Sequence, residues 1–436
     1  MSPPSYHPFR SLALSVAFAT AMISTAVRSS ISNADEGIAS APGIGWKRHT
    51  IDDRFDGADG VRLADFDGDG LQDIATGWEE SGLVCVYKNP GPKRARESWQ
   101  SVIVGKFPSP EDAFFGDVDG DGILEVVSCH EGKEQRIWVH RLLNPDENLN
   151  TKSKANNDAW LSPENWQSTA ITPADGAQWM YAASVGTVDQ ANDANRNPSS
   201  KRGFAMVVGS KNKTGSISLL TFSYDAYATV RPEDNSTKAA TTQPWKIKRL
   251  RDCGWIMSLQ SSDVDGDGDL DIVYSDRKGD DRALGWLEHP GDLTQPWPDH
   301  RIEVPSREWM FLSLVGKDWI VATRDHQSLR ITNPAGAAKV DWINHPDGIR
   351  FGKSIAALPS GDLVLSANTH AQKRKDLPGI WIRDMKTKVW SPIDPTTHVK
   401  FDRIELVDLD NDGDLDVLCC EERHNLGVFW YENPKQ

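Results

Sequence analysis

Four short stretches carry carboxylates at a spacing suited to a metal ion. "DFDGDGLQD" supplies Asp65, Asp67, Asp69 and Asp73, and "DVDGDGILE" supplies Asp117, Asp119, Asp121 and Glu125. "DVDGDGDLD" supplies Asp263, Asp265, Asp267 and Asp271, and "DLDNDGDLD" supplies Asp408, Asp410, Asp412 and Asp416. Each places acids at positions 1, 3, 5 and 9 and glycine at position 6. Calcium takes oxygen ligands from alternate positions of such a loop, and the glycine allows the sharp turn. An EF-hand would close with a bidentate Glu at position 12. Here position 12 is Thr76, Ser128, Tyr274 or Cys419. An apolar strand follows each closing acid, so the pattern predicts strand–loop–strand sites. An Asp-Gly hairpin turn accounts for one such loop. Four copies with one ligand spacing point to calcium, at about four structural sites.

A second set of polar residues stands at the opposite ends of the same strands. Entering the first strand of successive units are Glu111 and Asp112, Arg307, Lys353 and Arg403. Leaving the second strand are His130 and Glu131, Lys211, Arg277 and Lys278, Arg324, His370 and Glu421. Wet loops are polar in any protein, but this set recurs at one register in unit after unit. It mixes both charge signs with histidine. Such a set suits a binding site for a polar ligand, above all a sugar acid or polyol. It also suits proton abstraction beside a carboxylate, with His130, Glu131, Lys353 and Arg277 as catalytic candidates. The Trp-Met pairs of "QWM", "GWIM" and "EWM" fit packing between sheets better than a stacking platform for sugar rings.

These residues need a repeated scaffold. The first two loops begin at 65 and 117, a period of about 50 residues, and later loops fall at multiples of it. Each unit reads as four antiparallel strands. The third ends near Asn-Pro or His-Pro, as in "VYKNP", "WLEHP" and "WYENP", and the fourth carries Trp, as in "ESWQSVIVG". Three further units keep this order without the acidic loop. One of them carries the polar insertions "ANDANRNPSSKRG" and "SYDAYATVRPEDNSTKAATT". The expectation is an all-β, seven-bladed β-propeller over 45–434, with blades starting near 57, 109, 176, 253, 307, 351 and 400. "GWKRHTIDD" reads as a fourth strand without a blade, and the last unit lacks one. The N-terminal strand is therefore expected to complete the last blade and close the ring.

Residues 11–27 are apolar and small after a weakly basic start, as in a secretory signal over 1–34. A secreted, periplasmic or cell-surface protein follows, with no membrane span after its removal. The net charge of −15 argues against nucleic acid as a partner. Five cysteines, an odd number, give neither a disulfide framework nor a zinc spacing. A monomer is expected.

"DFDGDGLQDI" and its siblings resemble the FG-GAP/VCBS repeats of integrin α-subunit head propellers and many exported bacterial proteins. The resemblance spans nearly the whole chain after residue 34 and is weak in the three units without acidic loops. It implies calcium in loops joining the first and second strands of a blade. A more distant resemblance is to the propeller of aldos-2-ulose dehydratase. Fold alone assigns no function. Three readings stand: binding of a polar small molecule or polysaccharide, a carbohydrate lyase or dehydratase on the same scaffold, and a protein-interaction or adhesion module.

Overall fold

The computed structural model describes residues 45–143, 158–189, 202–224, 244–374 and 376–434. The expected signal segment lies outside them. So does most of the two polar insertions of blade 3.

Seven sheets of four antiparallel strands make up the described chain. Blade 1 runs Ala58–Ala64, Asp73–Trp78, Leu83–Lys88 and Gln100–Lys106. The first strands of blades 2 to 7 are Pro110–Gly116, Gln178–Asp189, Ile256–Ser262, Trp309–Val315, Gly352–Ala357 and Phe401–Val407. Strand Lys47–Asp52 pairs antiparallel with Gly427–Glu432 and supplies the fourth strand of blade 7. The ring closes through its ends, as the offset strand pattern requires. The fourth strand of blade 4 is short, Asp299–Arg301, and begins directly after Pro298, which cannot donate to a ladder.

The core is a ring of seven apolar wedges, one between each pair of neighbouring blades. Val84, Val86, Val102 and Val104 of blade 1 meet Ala113, Val126, Trp160 and Trp166 of blade 2. The closing wedge sets Ile51, Leu418, Cys420, Val428 and Trp430 of blade 7 against Ala58, Ile74 and Trp78 of blade 1. Second strands such as Asp73–Trp78 are buried along their whole length, since a sheet lies on either side. All five cysteines are free thiols, four of them buried.

Every blade has a β-bulge at the same place, where the first strand begins. In blade 2 the register skips Glu111, between Pro110 opposite His130 and Asp112 opposite Cys129. It skips Met180 in blade 3, Met257 in blade 4 and Lys353 in blade 6. In blades 1, 5 and 7 the irregularity covers residues 60–61, 310–311 and 402–403. A bulge bends its strand and re-aims a side chain. Seven of them at one register make a ring of re-aimed residues around the axis. That ring has an apolar side, built from Met180, Met257, Met310, Tyr181 and Phe311. Its other side carries Glu111, Lys353 and Asp402.

Candidate functional sites: the acidic loops and the channel mouth

The four acidic loops share one internal geometry. Positions 4 and 6 adopt left-handed backbone, with Gly68 at φ +74° and Gly70 at +90° in blade 1. In blade 7 Asn411 takes position 4 at φ +55°, a conformation that asparagine tolerates better than most residues. The position-1 and position-5 aspartates turn inward onto loop N–H groups. Gly70 N–H donates to Asp65 at 3.1 Å and Leu71 N–H donates to Asp69 at 2.9 Å.

The closing acid has a role that its spacing alone did not reveal. Asp73 accepts from Phe66 N–H at 3.0 Å and from Asn89 N–H at 2.8 Å. Asp271 does the same with Val264 and His289, and Asp416 with Leu409 and Asn433. The recurring Asn-Pro or His-Pro after the third strand is thereby explained: its first residue offers the N–H that holds the acid. In blade 2 Arg141 approaches Glu125 at 3.3 Å, and Val118 N–H donates to the same carboxylate at 2.7 Å.

The loops fit a hard cation. Ligand oxygens of Asp65, Asp67 and Asp73 lie within 4.8 Å of one another, as do those of Asp117, Asp119 and Glu125. Burial and the neighbouring aspartates push Asp73 up to about 7 and Glu125 up to about 8. Burial likewise pushes Asp416 up to about 7. Carboxylates that titrate this high have too little compensating positive charge. Lys88 on Asp67 at 2.9 Å, Arg141 on Asp119 at 3.1 Å and Arg96 on Asp410 each supply part of it.

At the mouth the structure gathers some predicted residues and parts others. Lys211 pairs with Glu131 and lies 3.9 Å from Glu111. Lys353 bonds Asp402 at 2.8 Å, and Lys400 bridges Asp402 and Glu422. Oxygens of Glu79, Glu111 and Glu131 fall within 4.8 Å of one another, and so do those of Asp59, Glu79 and Glu422. Glu79 thus joins the two groups into one charged patch. Asp59 is buried, and no ion pair or hydrogen bond to its Oδ1 is found among the described residues. Burial first, then Asp402, pushes it up to about 8. Desolvation lowers Lys353 and Lys211 from the ordinary lysine range.

Beside this patch stands Trp255. Lys211 and Lys278 each lie 4.3 Å from the centre of its rings, and the Arg277 guanidinium lies at 4.7 Å. Glu308 holds Arg277 at 2.9 Å and Arg324 at 3.3 Å. Trp179 and Trp309, its counterparts in blades 3 and 5, are buried in packing at 2% and 1% exposure. Trp255 is only partly covered, and its buried Nε1 has no partner among the described residues.

Five predicted mouth residues lie elsewhere. His130 is fully buried: Nε2 meets Ser128 Oγ at 2.7 Å and Nδ1 meets the Pro108 carbonyl at 2.8 Å. Burial pushes it down to about 4, so it is a neutral core group and not a base facing a ligand. Asp112 is buried and accepts two 2.8 Å bonds from Arg62, and Arg403 donates to Glu405, so Arg62 and Arg403 line the wall of the channel. That channel holds a cavity of about 320 Å³ bounded by Arg62, Phe114, Ala182, Gln260, Arg403 and Glu405. Arg307 turns outward onto Asp325 and lies 5.4 Å from the Trp342 ring of the outermost strand. Glu421 is buried and accepts backbone N–H groups of Lys400, Arg423 and His424.

Asp59 and Lys400 were not singled out from the sequence. A signal for Asp59 exists. Counting six residues back from the first aspartate of each acidic loop gives Asp59, Glu111, Met257 and Asp402. All four sit at or beside the bulge.

Residues 65–128 match the protein-family model described as FG-GAP-like repeat. Comparison with curated proteins finds no match. Among solved structures the chain is similar to BBS1N in complex with ARL6DN, at 12% identity and TM-score 0.47, covering 90% of this chain and 98% of that one. It is also similar to the Cps50 (Swd1) β-propeller domain of Myceliophteria thermophila, at 9% identity and TM-score 0.49, covering 89% and 100%. Among the described residues no helix is long and apolar enough to cross a membrane. The seven four-stranded sheets and the matched span together identify the chain as a seven-bladed β-propeller that carries an FG-GAP-like repeat across its first two blades.

Proposed function

We propose that this propeller is an exported binding module whose ligand is an anionic carbohydrate, held at the channel mouth, with calcium in the four acidic loops on the other face. The observation that carries the reading is Trp255. A partly open indole ring with three cations within 4.7 Å offers an apolar plane for a sugar ring and positive charge for its carboxylate. Glu79, Glu131 and Glu308 supply acceptors for hydroxyl groups nearby. The calcium ions are assigned a structural role, because their loops lie at the far ends of the first strands from Trp255.

The test is a screen of uronic-acid and neutral oligosaccharides by calorimetry, followed by R277A and K278A. Each change should weaken binding of an acidic hit by about 1.5–3 kcal/mol, the worth of a hydrogen bond to a charged group. Neutral sugars of the same ring size should bind more weakly. Equal binding of every hit by wild type and both variants would remove the mouth as the site.

A further inference from the structure

The geometry points to a second metal site of a different kind, built from His370, His398 and His424. We propose that these three imidazoles bind one borderline divalent transition-metal ion, zinc in the first instance. The inference is independent of the carbohydrate reading.

The three residues come from separate segments. His370 follows the second strand of blade 6, Leu363–Ala367. His398 lies between the last strand of blade 6, Trp390–Thr397, and the first strand of blade 7. His424 follows the second strand of blade 7, Asp416–Glu421. One ring nitrogen from each lies within 4.8 Å of the others. The ring centres are 4.6, 5.3 and 6.3 Å apart. Imidazole ligates a metal through a ring nitrogen that carries no proton.

Each segment is pinned by bonds that do not use the ligating edge. His370 N–H donates to the Val399 carbonyl at 3.0 Å. Val399 N–H donates to the Thr369 hydroxyl at 3.1 Å, so the His370 and His398 segments are tied to each other. His424 N–H donates to the buried Glu421 carboxylate, which also holds Lys400 N–H. His424 Nε2 meets the His398 carbonyl at 2.6 Å. A carbonyl accepts only from N–H, so the neutral ring keeps its lone pair on Nδ1. Metal-ligating histidines characteristically donate their other ring N–H to a carbonyl in this way. His398 itself has φ +63°, the left-handed region that non-glycine residues seldom enter.

The donor set decides the ion. Three imidazoles suit zinc, copper or nickel, whereas calcium and magnesium take oxygen ligands. Three protein ligands leave one tetrahedral position for water or a ligand atom. His424 is exposed, so that position is open to solvent. The histidines follow the strand ends that also carry Lys400 and Glu422, so the ion would sit on the same face as the charged mouth.

The experiment uses the full chain saturated with calcium, so that the acidic loops are filled. Cobalt(II) is then titrated in and the visible spectrum recorded. One equivalent should give the strong bands of a four-coordinate site with three nitrogen ligands, and stoichiometric zinc should abolish them. H424A, and H398N, which preserves a residue tolerant of the left-handed backbone, should each weaken cobalt binding at least about tenfold. R423A, at an exposed neighbouring side chain, should leave it unchanged. Circular dichroism would show that the variants keep the sheet fold. Absence of the bands in wild type would overturn the proposal. So would bands of equal strength and affinity in folded H424A and H398N.

Discussion

Lys353 shows what a charge at the bulge demands of its surroundings. It is buried to 5% exposure and its ammonium is held by Asp402 at 2.8 Å. Removing one partner of such a pair leaves the other charge buried and alone, at a cost of roughly 3–5 kcal/mol. K353M should therefore lower unfolding free energy in urea by about that much, while K278M, at an exposed side chain, changes it little. Equal stability of both variants would refute a structural role for Lys353. A second residue-scale prediction concerns the buried histidines. Burial pushes His130 and His345 down to about 4 and His140 to about 3. Above pH 6.5 each is neutral whether folded or unfolded. Between about 6.5 and 4 only the unfolded chain takes up the proton, so stability falls as pH falls through that window. At about 1.4 kcal/mol per unit the loss is on the order of 3 kcal/mol for each group. Imidazole NMR shifts that stay in their neutral positions at pH 5 would bear this out. Protonation of all three near pH 6.5 would contradict it.

At the scale of the element, the acidic loop separates two jobs that its spacing presents as one. Asp73 braces the loop to the third strand through two backbone N–H bonds, whereas Asp69 caps a local turn. In chelator, D73A should cost about 2–4 kcal/mol, from two backbone bonds to a buried carboxyl group, and D69A less than about 1. With saturating calcium both should melt below wild type, because each filled site adds roughly 2.7 kcal/mol at a hundredfold excess over Kd. Matching losses for the two variants in chelator would mean that the brace contributes nothing. What the sequence made legible follows the same line. The loops, the four-strand units and the offset closing strand are local patterns, and local patterns survive in a string of letters. The bulges do not, because a skipped residue is visible only against its partner strand. His130 was misplaced for the related reason that side chains alternate across a strand. It shares a strand end with the mouth residues yet points into the blade. His398 and His424 carried no signal at all, since 26 residues and two strands separate them.

For the whole molecule the ring is the unit of stability. Seven apolar wedges are shared between blades, so no blade holds a complete core of its own. Deleting residues 45–53 removes the fourth strand of blade 7 and with it Ile51 from the closing wedge. No acidic-loop residue is lost. The truncated protein should expose the edge at Gly427–Glu432 and aggregate, as exposed strand edges do. Light scattering on heating checks this. A soluble, monodisperse truncation that melts with the full chain would show that the sheet edge needs no cover.

The pairing of Lys47–Asp52 with Gly427–Glu432 also sets an order of events in time. A ribosome releases the first of these strands about 380 residues ahead of the second. Synthesis at about 5–20 residues per second puts tens of seconds between them. Throughout that interval the early strand has no sheet to join. Its sequence, KRHTID, mixes basic and acidic side chains with two apolar or neutral positions. Charge of that kind keeps an unpaired strand from joining strands of its neighbours on the same messenger. A nascent chain stalled anywhere before residue 427 would keep both a waiting strand and an open wedge between blades. Such a chain offers quality-control proteases an entry point that the finished ring withholds.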